Sequence, residues 1–125
     1  MNRELPLTAL SELDDVFVVA RLDPTADVDA HDALSVTRTE RELSIVCPRS
    51  RVPVGAATDG PWTAFYTDGT IAFDTTGIVA GLTLPLANIQ CPVFVISTFD
   101  GDLILVPTNR RADAINAWTK SGHTF

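Results

Sequence analysis

The stretch from Pro92 to Pro107 constrains the fold more than any other, because two apolar, β-rich runs lie on either side of a short polar segment. The runs Val93–Thr98 and Asp102–Val106 predict a β-hairpin, and Asp100-Gly101 between them is typical of a tight turn with positive φ angles. Strands that are apolar on both faces are buried on both. A turn alone does not explain why such strands meet in hydroxyls, a phenyl ring and two carboxylates, so we place a candidate ligand site here.

The polar segment has a counterpart sixty residues upstream. At this offset, residues 37–46 align with residues 97–106, and hydroxyl, spacer, acid and aliphatic strand follow in the same order. Such self-similarity indicates two copies of one supersecondary unit packed side by side. Two short copies are weaker support than a long array, so a chance likeness is the alternative.

Composition disfavours several classes of protein. With 125 residues, 46% of them hydrophobic, the chain is long enough for one compact core or two small ones and too apolar to be disordered. The net charge of −7 argues against a nucleic-acid partner, and the arginines between Arg38 and Arg51 are interrupted by acids, as on a solvated strand edge. No apolar run reaches the roughly twenty residues of a membrane-spanning helix, so no membrane role is expected.

The N-terminus and the cysteines indicate the compartment. Met1–Pro6 lacks the apolar core of a signal peptide, so we expect a cytoplasmic protein. Cys47 and Cys91 lie at the edges of apolar strands, with neither CxxC spacing nor a neighbouring histidine. They are expected to be buried, reduced thiols rather than a disulfide, a metal site or a nucleophile. No cofactor is expected.

The first half is predicted to be mostly strand. Val16–Leu22 is β-branched and apolar, and Ala26–Leu34 is assigned a short helix. The first hairpin-like unit follows, with strands at Ser35–Thr39 and Glu42–Cys47. Residues 49–61 are rich in Pro, Gly, Ala and Asp without periodicity, which predicts a loop or linker. We therefore divide the chain into domains at residues 1–56 and 57–125.

The second half opens with a predicted strand at Trp62–Thr67. Apolar residues then recur every three or four positions from Ile78 to Ile89, which predicts an amphipathic helix with Thr75 or Thr76 as its N-cap. Asn88 is its expected left-handed stop. Pro85 lies inside it and predicts a kink or an early end.

A last helix is predicted after the central hairpin. Its expected cap is Thr108 or Asn109, its buried residues are Ile115 and Trp118, and its end is at Lys120 and Gly122. Residues 123–125 form an edge strand or a tail. The order β-α-β-β-α with an optional final strand is the ferredoxin-like α+β plan, βαββαβ, with both helices on one face of an antiparallel sheet. The first half is a shortened version of it.

The runs at residues 77–87 and 95–106 resemble ACT-domain proteins of the CASTOR type. Residues 35–39 and 42–47 resemble the first half of small bacterial members. The resemblance implies tandem ACT-like halves, binding of an amino acid or another small molecule at a domain interface, and a regulatory, non-catalytic role. A homodimer is possible, because ACT-like units commonly associate.

The resemblance also implies particular site residues. Thr98, Phe99 and Asp102 match the family's ligand loop, while Gly77 and Ile78 correspond to its glycine-bearing loop and helix start. The arginine-binding relatives have an acid just before that glycine, where this chain has Thr75 or Thr76. That departure puts arginine as the ligand in doubt, and a smaller or neutral side chain fits as well.

The residues themselves support a site that holds a zwitterion. Unpaired amides at the start of a helix bind carboxylates, so Gly77, Ile78 and Val79 are candidates for one end of the ligand. Asp102, or Asp100, is a candidate for its ammonium group, with Phe99 covering an aliphatic stem. The alternative is that the threonines only cap the helix and Asp102 is a solvated turn acid.

These features predict a regulatory protein that binds an amino acid, and the alternative is an oligomerisation module without a ligand. Catalysis is disfavoured, because a hairpin tip and a C-terminal tail with His123 are poor places to exclude water. A metal held by Asp100, Asp102 and Asp74 is also disfavoured, since the calcium-loop spacing is missing.

Overall fold

The structure is a computed structural model that describes residues 4–125. Within these residues the chain forms two α-helices, α1 (Ile78–Asn88) and α2 (Arg111–Lys120), and short 3-10 turns at Arg49–Arg51 and Thr108–Arg110. The strands are β1 (Leu10–Leu22), β2 (Ser35–Arg38), β3 (Leu43–Pro48), β4 (Ala57–Thr67), β5 (Phe94–Ser97) and β6 (Asp102–Pro107). The protein is therefore of the α+β class.

Two compact units share these elements. One comprises the residues up to Leu13 together with Thr63–Phe125 and is called the helical unit; the other is Asp14–Trp62 and is called the strand unit. The division falls within β1 and within β4. Each unit therefore contains part of both long strands.

In the helical unit, strands follow the order β1, β4, β6 and β5, and the β5–β6 hairpin is antiparallel. The predicted order β-α-β-β-α, from β4 to α2, is confirmed. The optional last strand is reduced to one parallel bridge between Ala9 and Thr124. The start of β1 is the neighbour of β4 in this unit.

One apolar core joins both helices to the sheet. Leu82 and Leu86 of α1 and Trp118 of α2 pack with Ile104 and Val106 of β6, two residues that share one face of the strand. Both helices therefore cover the same face of the sheet. The Trp118 ring is completely buried.

Helix α1 begins differently from the prediction. Its N-cap is Gly77, whose φ of 88° is left-handed, and neither Thr75 nor Thr76 takes that position. The predicted stop was also wrong, because Asn88 is still helical and the left-handed residue is Gln90, with φ 55°. The helix continues for three residues beyond Pro85, so no early end occurs there.

Helix α2 follows a 3-10 turn instead of a threonine cap. The hydroxyl of Thr108 lies 3.0 Å from that of Thr63 and so ties the turn to β4. Trp118 is buried as predicted, but Ala114 is the second buried residue and Ile115 is only half-buried. The helix ends at Lys120 and is followed by Gly122 with φ 100°, as predicted.

In the strand unit, β2, β3 and β1 are neighbours, and β3 is antiparallel to both of the others. The predicted first hairpin is therefore confirmed. Its core consists of Val18, Leu43, Ile45 and Cys47. Leu22 at the end of β1 and partly buried residues from the connecting segments pack against that core; the latter are Ala26, Val28, Ala30, Ala33 and Val52.

The helix predicted at Ala26–Leu34 is wrong, because the segment forms turns. The Asp23 carboxylate accepts hydrogen bonds from the backbone N–H of Thr25 at 2.9 Å and from its hydroxyl at 2.7 Å. Asp29 likewise accepts from the N–H of His31 at 3.1 Å. Short polar side chains that bond the nearby backbone in this way compete with a helix.

Two strand boundaries also differ from the prediction. β1 begins at Leu10, six residues before Val16, in a mostly polar stretch that has no apolar alternation to indicate a strand. β4 begins at Ala57, so the last part of the predicted linker is strand. Gly60 permits this close pairing, since a Cβ there would lie 3.0 Å from the carbonyl oxygen of Phe17 on β1.

The two hairpins share one geometry, at an offset of 59 rather than 60 residues. Ser35 pairs with Val46 in the first hairpin, and Phe94 pairs with Leu105 in the second. Each second strand ends in a proline that precedes a 3-10 turn. The predicted offset of 60 is therefore wrong by one residue, although both hairpins have the same pairing pattern.

Both cysteines are free and buried, as predicted, and burial raises the pKa of each thiol. Neither α-helix in residues 4–125 is long and apolar enough to cross a membrane, since the longer one has 11 residues.

Candidate functional site

A cavity of about 280 Å³ lies in the helical unit, where the loop before α1, the first turn of α1 and the tip of the β5–β6 hairpin meet. Its lining residues are Ile71, Ala72, Phe73, Thr75, Gly77, Ile78, Val79, Ala80, Ser97, Thr98, Gly101 and Asp102. The hollow therefore combines helix-start backbone with the polar hairpin tip.

The hairpin tip is closed by threonine and serine hydrogen bonds. The N–H of Thr98 donates to the carbonyl oxygen of Gly101 at 2.8 Å, and the Thr98 hydroxyl donates to the same oxygen at 3.0 Å. The hydroxyl of Ser97 donates to Asp102 Oδ1 at 2.6 Å. The Asp102 side chain is therefore held by its cross-strand neighbour.

The positive φ angles predicted for Asp100-Gly101 are wrong, since φ is positive at neither residue. Glycine is needed at position 101 for a different reason, which is the lack of space for a side chain. A Cβ on Gly101 would lie 2.6 Å from the hydroxyl oxygen of Thr67. That hydroxyl accepts a hydrogen bond from the N–H of Asp102 at 2.9 Å, so the close approach fixes the start of β6 beside the end of β4.

The residues at the start of α1 line the cavity. Gly77 turns the chain into the helix with a left-handed φ, and its carbonyl accepts from the N–H of Gly81 at 2.9 Å. The amides of Ile78, Val79 and Ala80 belong to the first turn, where N–H groups have no acceptor within the helix. The first turn carries no acidic residue. Its positive dipole end is therefore available to an anion.

The loop between β4 and α1 forms the remaining wall. The N–H of Ile71 donates to the carbonyl oxygen of Asp100 at 2.7 Å, which joins the loop to the hairpin tip. Phe73 meets Phe99 edge to face, with ring centroids 5.0 Å apart. Both rings are about three-quarters exposed, at 75% and 77%. The two walls are therefore connected at the backbone and at an exposed aromatic pair.

Most of the predicted site residues lie around this cavity. Five of the six line it: Gly77, Ile78, Val79, Thr98 and Asp102. Phe99 is not among the lining residues, and it contacts the wall residue Phe73 instead. Asp100, the alternative acid, is also outside the lining.

Sequence reasoning missed the loop wall, notably Ile71, Ala72 and Phe73. This loop has no periodicity, so its only signal is that it immediately precedes a predicted helix start. Neither His123 nor Asp74 lines the cavity. The structure of residues 4–125 contains no cluster of three or more His, Cys, Asp or Glu side chains arranged for a metal ion.

The electrostatics of the cavity are simple. Asp102 is the one titratable side chain among its lining residues in the described part of the chain. The lining therefore combines one carboxylate with the positive end of a helix dipole. This combination suits a small zwitterion whose ammonium and carboxylate groups are close together.

The strand unit has a smaller cavity of about 180 Å³ beside a cluster of charges. The ring of His31 lies between Asp29, at 2.9 Å, and Asp32, at 3.2 Å, and Arg51 lies 3.2 Å from Asp32. The hydrogen bond between the Asp29 and His31 side chains holds the pKa of Asp29 below its usual value and raises the pKa of His31. The charges of these exposed side chains are therefore paired with one another.

Two family models match the chain. The ACT-domain model matches residues 57–120, and a model described as an N-terminal domain matches residues 15–55. No curated protein matches at a significant level.

Several solved structures are similar to the chain. A protein from Agobacterium tumefaciens is 37% identical and superposes with a TM-score of 0.86, with 95% of this chain and 92% of that chain covered. The aspartate kinase of Clostridium acetobutylicum, described as an allosteric enzyme, is 12% identical with a TM-score of 0.66, and 36% of its chain is covered by 95% of this one.

The regulatory subunit of aspartate kinase from Thermus flavus is 9% identical, with a TM-score of 0.61 and with 92% of this chain and 97% of that chain covered. At such low identities the two kinase structures show the fold alone. The family model covers more than half of the chain and the Agobacterium relative nearly all of it. The chain therefore belongs to the ACT-domain family.

Proposed function

We propose that this protein is a non-catalytic regulatory protein that binds an amino acid in the cavity of the helical unit. One observation carries the proposal: the carboxylate-bearing Asp102 and the first turn of α1 line the same hollow of about 280 Å³. The aspartate kinases that share the fold are described as an allosteric enzyme and a regulatory subunit, which agrees with a regulatory role.

The two ends of the cavity suit the two charged groups of an amino acid. The amides of Gly77, Ile78 and Val79 donate to the ligand carboxylate, favoured by the helix dipole. Asp102 accepts from the ligand ammonium group in a charge-assisted hydrogen bond. Its Oδ1 already accepts from Ser97, which leaves Oδ2 for the ligand.

The size of the cavity supports a small ligand. Pockets for drug-sized molecules have volumes of about 300–1,000 Å³. At about 280 Å³, this cavity lies just below that range. A single amino acid therefore fits within it. Phe99, which we expect to cover the ligand, packs on the wall residue Phe73.

We further propose that the chain is a tandem of ACT-like halves of the CASTOR type, divided at residues 1–56 and 57–125. Support comes from the two hairpins that share register and end in a proline and a 3-10 turn. The first half has connecting turns in place of helices. In this arrangement the amino acid binds to the second half.

A thermal-shift screen against the twenty amino acids tests the proposal. A ligand that binds only the folded chain raises the melting temperature by mass action. Asp102→Asn should abolish this shift while leaving the unliganded melting temperature nearly unchanged. The matched control is Asp100→Asn, which removes a neighbouring acid outside the lining and should keep the shift. A flat response to all twenty, or a shift that survives Asp102→Asn, contradicts the proposed site.

The second candidate function is assembly without a ligand. In the helical unit β5 is the last strand of the sheet, and its sequence from Phe94 to Ser97 carries no charge. Uncharged edge strands pair readily with another chain. Ile96→Lys should then convert a dimer to a monomer in sedimentation velocity, with Asn116→Lys on exposed α2 surface as the control. A species that is monomeric at all concentrations contradicts this candidate.

A further inference from the structure

The cavity that we propose for the ligand has an uneven distribution of charge. Among residues 4–125, Asp102 is the one lining residue with a titratable side chain, and the lining residues include no Lys, Arg or His. From this distribution we infer that the site selects an amino acid with an uncharged side chain. The inference rests on the proposed function and adds the class of ligand.

The side-chain end of the ligand meets apolar groups. The lining includes the apolar side chains of Ile71, Ala72, Phe73 and Ile78, the last of which also contributes its backbone amide to the carboxylate site. Ile71 and Ile78 are half-buried, so their aliphatic groups are partly shielded from water before a ligand enters. An aliphatic side chain placed against them loses water contact with apolar surface, which is favourable.

A charged side chain has no partner there. A carboxylate of Glu or Asp would be moved from water to a wall without a cation, and this transfer is unfavourable. An ammonium or guanidinium group would need a second acid, because Asp102 already accepts from Ser97 and is assigned to the α-ammonium group. The cavity therefore discriminates against both signs of charge.

Thr75 offers a position at which to reverse this selectivity. It is an exposed lining residue, and its backbone N–H donates to the carbonyl oxygen of Ala72 at 3.0 Å. A substitution at Thr75 keeps that backbone bond and changes only the side chain. Thr75→Asp adds one negative charge to the wall, and Thr75→Asn adds the same shape without the charge.

Isothermal titration with pairs of nearly equal shape tests the inference. The pairs are glutamine and glutamate, norleucine and lysine, and citrulline and arginine. The neutral member of each pair that binds should bind at least tenfold more tightly than its charged counterpart. In Thr75→Asp, the affinity for arginine or lysine should rise at least fivefold relative to the affinity for its neutral counterpart. In Thr75→Asn, this ratio of affinities should stay as in the wild type.

The outcomes separate the two proposals. Equal affinity for charged and neutral members overturns the selectivity and leaves the amino-acid site standing. A ratio that does not change in Thr75→Asp overturns the assignment of this wall to the ligand side chain. The absence of binding by every amino acid overturns both the proposed function and this inference.

Discussion

His123 supplies the hydrogen bond that Pro85 cannot give to Gly81. A proline in a helix interior leaves the carbonyl four residues earlier without its amide donor. Here Nε2 of the buried His123 ring lies 2.8 Å from that carbonyl oxygen of Gly81. The N–H of Thr8 donates to Nδ1 at 3.0 Å, so Nδ1 is the acceptor and Nε2 carries the proton. The ring thus joins the N-terminal segment, α1 and the C-terminus.

Replacing His123 should therefore destabilise the fold. His123→Ala leaves the Thr8 N–H and the Gly81 carbonyl without this partner, and each buried unsatisfied group costs about 1–3 kcal/mol. We expect the free energy of unfolding to fall by at least about 2 kcal/mol, measured by urea denaturation.

The matched control restores the backbone amide that Pro85 lacks. Pro85→Ala supplies an N–H for the Gly81 carbonyl, so it should stabilise the His123→Ala protein more than the wild type. A double-mutant cycle measures this difference. Strictly additive effects would show that His123 does not compensate for Pro85.

Gly101 should not tolerate a side chain, although its φ is unexceptional. The added Cβ of Gly101→Ala would lie 2.6 Å from the Thr67 hydroxyl, which must move and release the N–H of Asp102. Overpacking of this kind costs about 1–3 kcal/mol. Chemical denaturation should show that loss, and in a Thr67→Ala background the same substitution should cost much less. An equal cost in both backgrounds would contradict this explanation.

The sequence was most informative where local chemistry and tertiary packing agree. The central hairpin follows from two apolar runs around a polar tip, and the structure places β5 and β6 within one residue of the predicted bounds. Five predicted site residues converge because a helix start and a hairpin tip are both recognisable from sequence. The opposite wall, with Ile71 and Phe73, carries no pattern and needed the structure.

Where the sequence misled, a particular side chain decided the backbone, in one case from another strand and in the other from two residues away. Asp100-Gly101 looked like a turn that needs positive φ, but the glycine is required by the nearby Thr67 side chain. Ala26–Leu34 was assigned a short helix, whereas Asp23 and Asp29 bond the nearby backbone and hold turns. Matching residue types placed the repeat at an offset of 60, whereas the pairing of the strands gives 59.

The left-handed backbone of Gly77 makes it sensitive to substitution. At φ 88° a non-glycine residue is strained by roughly 1–2 kcal/mol, although asparagine tolerates this region better than alanine. Gly77→Ala should therefore lower the free energy of unfolding by about that amount, and Gly77→Asn by less. Thermal denaturation in the absence of ligand gives the comparison. If alanine were as well tolerated as asparagine, backbone strain would not be what the glycine relieves.

The charge cluster of the strand unit should be visible by NMR. The pKa of His31 is raised above its usual 6.5, first by its hydrogen bond to Asp29 and then by the charges of Asp29 and Asp32. A histidine with a raised pKa contributes stability that is present below pH 6.5 and is lost as the pH rises through the folded-state pKa. The ring is exposed, so this contribution is small.

A proton NMR titration of the His31 ring measures this pKa directly. Asp29→Asn should lower it more than Asp32→Asn, because Asp29 provides both the hydrogen bond and a charge. Arg51→Gln should raise it slightly, since the Arg51 charge opposes protonation of His31. An Asp29→Asn protein whose His31 titrates as in the wild type would show that this contact does not form in solution.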